Sequence, residues 1–214
     1  MSIARRGLRG GGRAGSRFGA PGGLERRMTR ERNGENALDA ARRGGGLPRN
    51  IVLVGFMGTG KSTVARLLAA RTGFRAVDTD EEIVRRAGKP IADIFAADGE
   101  PFFRELESRV LAEVLAGADQ VIATGGGAVL REENRRRMLA GGWVVALTAA
   151  RDALVARLAG EAGVRPLLAG GAAAKIDALL AARRHAYDFA HCAVDTSRRT
   201  PEEVAGLLAR WAGV

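Results

Sequence analysis

One stretch of the sequence has residue types and spacing that are typical of phosphate binding. Residues 55–62 read GFMGTGKS and fit the pattern G-x-x-x-x-G-K-[S/T]. The glycines allow backbone N–H groups to turn inward around a β-phosphate, and Lys61 can reach the β- and γ-phosphates. Ser62 carries the hydroxyl that contacts Mg²⁺ in such loops. The motif predicts an ATP or GTP site formed by Gly58, Thr59, Gly60, Lys61, Ser62 and Thr63.

Two carboxylates one residue apart form the second candidate site. Asp78 and Asp80 follow a short apolar run, and ligands of open α/β sheets bind at the carboxyl ends of strands. Alternate strand residues share one face, so both side chains are expected on the same side. We expect Asp78 to hold Mg²⁺ together with Ser62, and Asp80 to orient an attacking hydroxyl and accept its proton. The alternative is that the two acids only cap the helix that follows.

These groups need a rigid scaffold, and the sequence from residue 50 onward alternates strand patterns with helix patterns. Short apolar runs predict buried parallel strands at 51–54, 76–77, 121–123, 143–147 and 193–195. The spacing of apolar residues predicts helices at 62–72, 81–87, 91–95, 102–115, 132–140, 151–159, 173–187 and 201–211. Such alternation is typical of a three-layer α/β/α fold with a central parallel sheet.

The basic character of the chain is concentrated in its first 49 residues. Of the formal net charge of +10, residues 1–49 contribute +8 through 12 arginines and 4 acids. Residues 1–47 are rich in Gly and Arg and poor in large apolar residues, which predicts a disordered tail ahead of one domain at 48–214. A solvated extension, a translation start assigned too far upstream and an RNA- or partner-binding arm all stay open. The near-neutral remainder argues against nucleic-acid binding by the folded domain.

Cysteine content and hydropathy narrow the setting in which the protein is expected to work. The single cysteine, Cys192, excludes an internal disulfide, and its histidine neighbours do not give a zinc-ligand spacing. All apolar runs fall short of the ~18 residues that a membrane span requires. We therefore expect a cytoplasmic protein with no membrane association. We also expect the protein to be a monomer.

Several further motifs follow the phosphate loop and the acid pair. They are IADIF at 91–95, GE at 99–100 and FRELE at 103–107. Farther along the chain are GGGAV at 125–129, RPLL at 165–168, Arg183 with Tyr187, and Asp195-Thr196 near Arg199. In this order, the motifs of residues 50–214 resemble those of the shikimate kinase family. The resemblance implies a P-loop kinase fold with a substrate-binding helical segment at residues 80–108 and a mobile lid at residues 157–171.

The resemblance also implies a reaction and roles for individual residues. The γ-phosphoryl group of ATP would pass to the 3-hydroxyl of shikimate, with Mg²⁺ bound and Asp80 as the base. Lys61 and Arg165 would complete the catalytic set, Arg165 reaching the ATP phosphates from the lid, and Arg199 would lie against the adenine. The shikimate site would comprise Asp80, Arg104, Gly125, Gly126, Gly127 and Arg183, with Glu107 orienting the arginines. Arginines suit this role, because a guanidinium group binds a carboxylate through two parallel N–H bonds.

Several alternatives stay open at the level of the sequence. A related small-molecule kinase, such as a gluconate kinase, also binds a hydroxylated acid. A nucleotide-binding regulator without kinase activity would keep the phosphate loop as well. Within the site, Arg184 could take the role assigned to Arg183, and Arg157 is a second candidate for a lid cation.

Overall fold

A parallel β-sheet of five strands forms the centre of the protein. The computed structural model describes residues 49–159 and 172–213. The strands are β1 (Asn50–Gly55), β2 (Arg75–Asp78), β3 (Gln120–Ala123), β4 (Trp143–Thr148) and β5 (Cys192–Asp195), in the order β2-β3-β1-β4-β5. The chain builds β2 and β3 on one side of β1, and β4 and β5 on the other. This reversal opens a crevice at the carboxyl end of β1, where ligands of such sheets bind.

Eight α-helices accompany the sheet within the described part of the chain. They are α1 (Lys61–Thr72), α2 (Thr79–Ala87), α3 (Ile91–Ala97), α4 (Gly99–Ala116), α5 (Glu132–Gly141), α6 (Arg151–Leu158), α7 (Ala172–Ala182) and α8 (Pro201–Ala212), with a short 3₁₀ turn at Ala128–Leu130. None of these helices has the length and apolar character needed to cross a lipid bilayer. The alternation of strands and helices around a parallel sheet confirms the predicted α/β/α fold.

Side chains of β1 enter both helical layers, which is why this strand is a continuous apolar run. Ile51 and Leu53 pack on one side against Leu68 of α1 and against residues of α8. Val52 and Val54 pack on the other side, against residues of α2 and α4. All of them are fully buried, and burial of an aliphatic side chain of this size contributes about 1.5–3 kcal/mol. The central strand is therefore a rigid base for the loop that follows it.

Helix α2 starts directly after β2, earlier than its apolar pattern predicts. The Asp78 Oδ1 atom accepts hydrogen bonds from the backbone N–H groups of Asp80 at 2.9 Å and Glu81 at 3.4 Å. This side-chain cap satisfies the first donors of the helix, so the helix can begin at Thr79. As a result, the acid pair lies at the junction of a strand and a helix.

Helix α7 ends earlier than its apolar pattern predicts, and the prediction of a helix through residue 187 is wrong at its C-terminal end. The helix stops at Ala182, and turns closed by hydrogen bonds to the residue three positions back continue to residue 190. These turns allow both Arg183 and Tyr187 to reach the carbonyl of Gly126. Contacts with a distant loop therefore override the local preference for helix.

Candidate active site

The phosphate loop lies between the central strand β1 and helix α1. Gly60 precedes the helix with a φ of 90°, in the left-handed region that favours glycine. Lys61 is buried, and its Nζ donates hydrogen bonds to the carbonyls of Gly55 (2.9 Å) and Phe56 (3.0 Å). The Thr59 hydroxyl donates to the same Phe56 carbonyl at 2.7 Å. The loop thus curls around an ammonium group beside the positive end of α1, as a phosphate site requires.

The phosphate loop and the acid pair line one cavity at the carboxyl end of the sheet. The cavity has a volume of about 360 Å³. Its lining residues are Met57, Gly58, Gly60, Lys61, Ser62, Thr63, Asp78, Asp80, Thr124, Gly126 and Arg157. The structure therefore brings together the groups that the sequence suggested for nucleotide, metal and acceptor hydroxyl.

Asp78 and Asp80 have different surroundings, although both line this cavity. Asp78 caps α2 through its Oδ1 atom, so the cap interpretation holds for this residue in addition to its place in the cavity. The Asp80 side chain lies in the first turn of α2, beside Gly125 and Glu107. Burial raises the pKa of the Glu107 carboxyl above its usual range, Arg104 opposes this shift, and the neighbouring Asp80 adds to it. The site thus contains acidic groups in unlike environments, which can take different roles.

Arg104 is fixed by carboxylates on its own helix, α4. Its Nη1 atom is 2.8 Å from Glu107 Oε2, and its Nε and Nη2 atoms are 3.1 and 3.0 Å from Glu100 Oε1. The guanidinium group lies over the ring of Phe103, 5.2 Å from its centre. Only 12% of the side chain is exposed, and a methyl group on Gly127 would overlap the guanidinium group. Arg104 is therefore held against the triple-glycine loop.

Arg183 reaches the same loop from the turns that follow α7. Its Nη1 atom is 3.3 Å from the Gly126 carbonyl, and its guanidinium group lies 5.7 Å from the centre of the Phe56 ring. Arg184, by contrast, is exposed and lines a separate cavity of about 270 Å³ together with His191. Of the two adjacent arginines, Arg183 is the one that contacts the triple-glycine loop.

A smaller cavity of about 160 Å³ lies beside the phosphate loop. Its lining residues are Gly58, Thr59, Gly60, Val64, Arg157, Thr196, Arg199, Pro201 and Val204. Arg157 donates to the carbonyl of Gly58 (3.1 Å) and to the hydroxyl (3.1 Å) and carbonyl (2.6 Å) of Thr196. This arginine therefore joins the phosphate loop to the loop after β5, a contact that the sequence did not reveal. Arg199, which is predicted to lie against the adenine of ATP, lines the same cavity.

Two of the predicted regions lie outside the described residues. These are residues 1–47 and residues 160–171, which include Arg165. Among the residues that are described, no group of three or more histidine, cysteine, aspartate or glutamate side chains could hold a metal ion. The oxygen atoms of Ser62 and Asp78 in one cavity nevertheless fit Mg²⁺, because this ion keeps several water ligands and needs few from the protein.

A phosphate loop follows the central strand of a parallel sheet, an acid pair lines the same cavity, and Arg104 and Arg183 contact the triple-glycine loop beside it. This arrangement is typical of a P-loop kinase. Comparison with known proteins identifies the family. The family model described as shikimate kinase matches residues 57–212. The chain belongs to the shikimate kinase family and is an ATP-dependent kinase.

Individual relatives support the same assignment over most of the chain. The shikimate kinase of Thermobifida fusca is 49% identical over 160 residues, which are 74% of this chain and 92% of the relative. That of Geobacter sulfurreducens is 44% identical over 162 residues, 75% and 89% of the two chains. A solved structure, shikimate kinase from Acinetobacter baumannii in complex with shikimate, has 35% identity and a TM-score of 0.73, and the match covers 81% of this chain and 95% of that one.

Proposed function

We propose that this protein transfers the γ-phosphoryl group of ATP to the 3-hydroxyl of shikimate, a step of chorismate and aromatic amino-acid biosynthesis. The observation that carries the proposal is the single cavity in which Lys61, Asp80 and Gly126 meet. The similar structure from Acinetobacter baumannii, which holds shikimate, supports this choice of acceptor.

The nucleotide is assigned to the phosphate loop and to the smaller cavity beside it. The ATP phosphates bind the backbone N–H groups of residues 58–63 and the Lys61 ammonium, and the adenine lies near Arg199. Arg157 closes this side, because its guanidinium group joins Gly58 to Thr196. We further propose that residues 157–171 form a lid, from which Arg165 contacts the phosphates and water is excluded during transfer.

Mg²⁺ is assigned to Ser62 and Asp78, whose oxygens line the cavity next to the phosphate loop. Bound there, the ion would neutralise charge on the β- and γ-phosphates. Asp78 keeps one oxygen on the N-terminus of α2, so its side chain is held in place without a bound ligand.

The acceptor is assigned to the space around the triple-glycine loop. The guanidinium groups of Arg104 and Arg183 both contact this loop, and they bind the shikimate carboxylate. Glu107 orients Arg104 by a 2.8 Å ion pair. The oxygen of the 3-hydroxyl forms a bond to the γ-phosphorus, and Asp80 accepts the hydroxyl proton. The bond between the γ-phosphorus and the leaving oxygen of ADP breaks.

Loss of either arginine is expected to raise the KM for shikimate. A hydrogen bond to a charged group contributes about 1.5–3 kcal/mol, so Arg104→Ala and Arg183→Ala should each raise this KM roughly 10–100-fold. The change in kcat should be smaller, because the clamp acts before and during transfer alike. Steady-state kinetics with each substrate varied in turn would measure both constants.

Arg184→Ala is the matched control for this test, since it removes an exposed arginine next to Arg183. Its kinetic constants should equal those of the unmodified protein. Melting temperatures are measured for all three variants, because Arg104→Ala also removes the ion-pair partner of the buried Glu107. A higher KM for ATP with an unchanged KM for shikimate would place the acceptor site elsewhere.

We propose that residues 1–47 are a tail that does not contribute to the kinase domain. Their composition favours a solvated chain, so deletion of these residues should leave the melting temperature and kcat almost unchanged. Thermal unfolding and turnover of the shortened protein check this expectation. A large fall in either quantity would mean that the segment docks on the domain.

The proposed enzyme acts as a cytoplasmic monomer. Burial raises the pKa of the Cys192 thiol to about 12, so this group stays protonated and behaves as a core side chain. A near-neutral domain supports the absence of a nucleic-acid partner for the folded part.

A further inference from the structure

Two hydroxyl groups hold the triple-glycine loop, residues 125–127, and the reaction described above gives neither of them a role. The Thr79 Oγ1 atom accepts a hydrogen bond from the Gly125 N–H at 3.0 Å. The Tyr187 hydroxyl donates to the Gly126 carbonyl at 3.0 Å. The loop has no side chains of its own, so its position depends on hydrogen bonds to its backbone, which come from the 3₁₀ turn that follows and from these two hydroxyl groups.

The loop passes directly beside the groups that are assigned to the acceptor. A methyl group placed on Gly125 would lie 2.7 Å from Asp80 Oδ1 and 2.8 Å from Glu107 Oε1. A methyl group on Gly127 would overlap Arg104. A small displacement of the loop therefore disturbs the base and the carboxylate clamp at the same time.

Thr79 is well placed to prevent such a displacement. It is the first residue of α2, next to Asp80, and only 1% of it is exposed. Without its hydroxyl, the Gly125 N–H would be buried with no acceptor, which is an unfavourable state. The carboxylates of Asp80 and Glu107 lie close enough to attract that N–H group, and the loop would then shift toward them.

Tyr187 acts on the next peptide group of the loop. The Gly126 carbonyl accepts from both Tyr187 and Arg183, at 3.0 and 3.3 Å. Because the peptide group is planar and trans, fixing this carbonyl also fixes the N–H of Gly127 on the opposite side. Burial raises the pKa of the Tyr187 hydroxyl, although Arg183 opposes the shift, so the hydroxyl keeps the proton that it donates.

We propose that Thr79 and Tyr187 are positioning residues of the phosphoryl transfer, whose hydroxyls hold the triple-glycine loop where the acceptor site is complete. The inference rests on the proposed function, because it concerns the same acceptor site. Neither residue is assigned a contact with the reacting atoms, and each acts through the loop.

The test compares removal of the hydroxyl with removal of the methyl group at Thr79. Thr79→Val should lower kcat/KM for shikimate by about tenfold to 10²-fold, since small errors of position are costly in catalysis. Thr79→Ser keeps the hydroxyl and should retain most of this efficiency. Tyr187→Phe should give a smaller loss, because Arg183 still donates to the Gly126 carbonyl. The KM for ATP should change little in all three variants.

Thr72→Val is the matched control. The Thr72 hydroxyl also accepts a backbone N–H, that of Phe74 at 3.3 Å, but it lies at the far end of α1 from the site. This variant should lower the melting temperature without changing the kinetic constants. The same pattern in Thr79→Val, a lower melting temperature with unchanged kinetics, would show that Thr79 is only structural and would overturn the proposal.

If Thr79→Val does not fold, the other two variants still test whether Thr79 and Tyr187 are positioning residues. If Thr79→Ser retains most of the kcat/KM for shikimate and Tyr187→Phe lowers it, the proposal is supported. Unchanged kinetics of Tyr187→Phe contradict it. If the unmodified protein phosphorylates another acid instead of shikimate, the proposed function fails. The same variants, compared on that acid, then still test the role of the loop.

Discussion

Asp80→Asn is expected to lower kcat by about 10²–10⁴-fold while shikimate still binds. Asparagine keeps the size of the side chain and one hydrogen-bonding oxygen, but it cannot accept the proton of the acceptor hydroxyl. In the structure, the Asp80 side chain lies in the cavity with Lys61 and Ser62, so the acceptor oxygen and the γ-phosphorus can meet there. Steady-state kinetics should show a loss in kcat with a modest change in the KM for either substrate.

Glu81→Gln is the matched control for the base. Glu81 follows Asp80 in the same helical turn, but its carboxylate is exposed and pairs with Arg66 at 2.6 Å. The exchange should leave kcat unchanged. Full turnover of Asp80→Asn would contradict the assignment, and Asp78, the other acid of the cavity, would become the candidate base.

Lys61→Met is expected to lower kcat by about 10²–10³-fold, because it removes a cation that stabilises charge on the phosphoryl group in the transition state. Methionine has a similar length, so it can occupy the space inside the loop. The lysine contacts the carbonyls of Gly55 and Phe56, and both carbonyls lose a donor in the variant. The melting temperature should therefore be measured together with turnover.

Lys89→Met is the matched control, because it exchanges a lysine for methionine away from the phosphate loop. Lys89 follows α2 and pairs with Asp98, outside the cavities described above. Its substitution should leave turnover at the level of the unmodified protein. Near-normal turnover of Lys61→Met, with a normal melting temperature, would mean that the phosphate loop does not serve catalysis as described.

The parts of the site that are local in sequence could be predicted without a structure. The phosphate loop is a run of eight residues whose spacing has a direct physical meaning, and Asp78 ends strand β2 as predicted. The sequence predicts Asp80 on the same face of that strand, but it lies in the first turn of α2. Even here the structure adds a second role, since Asp78 also caps α2. The periodicity of the sequence could not show this, because a cap depends on where the chain turns.

Contacts between distant parts of the chain could not be predicted from these patterns. Arg157 donates to Gly58 across 99 positions, and Thr79 accepts from Gly125 across 46. Nothing in the sequence around Arg157 distinguishes it from a solvated arginine, and nothing around Thr79 distinguishes it from any other buried threonine. The choice between Arg183 and Arg184 likewise depended on where α7 ends, and that end is set by contacts with the loop at Gly126.

The most direct test of the account is an acceptor screen with the purified full chain. ADP release is measured in the presence of ATP and Mg²⁺ with shikimate, quinate or gluconate, each at several concentrations. We expect rapid ADP release with shikimate and a product that carries the phosphate on the 3-hydroxyl. A preference for gluconate, or an absence of acid-dependent ADP release with all three compounds, would contradict the proposed function.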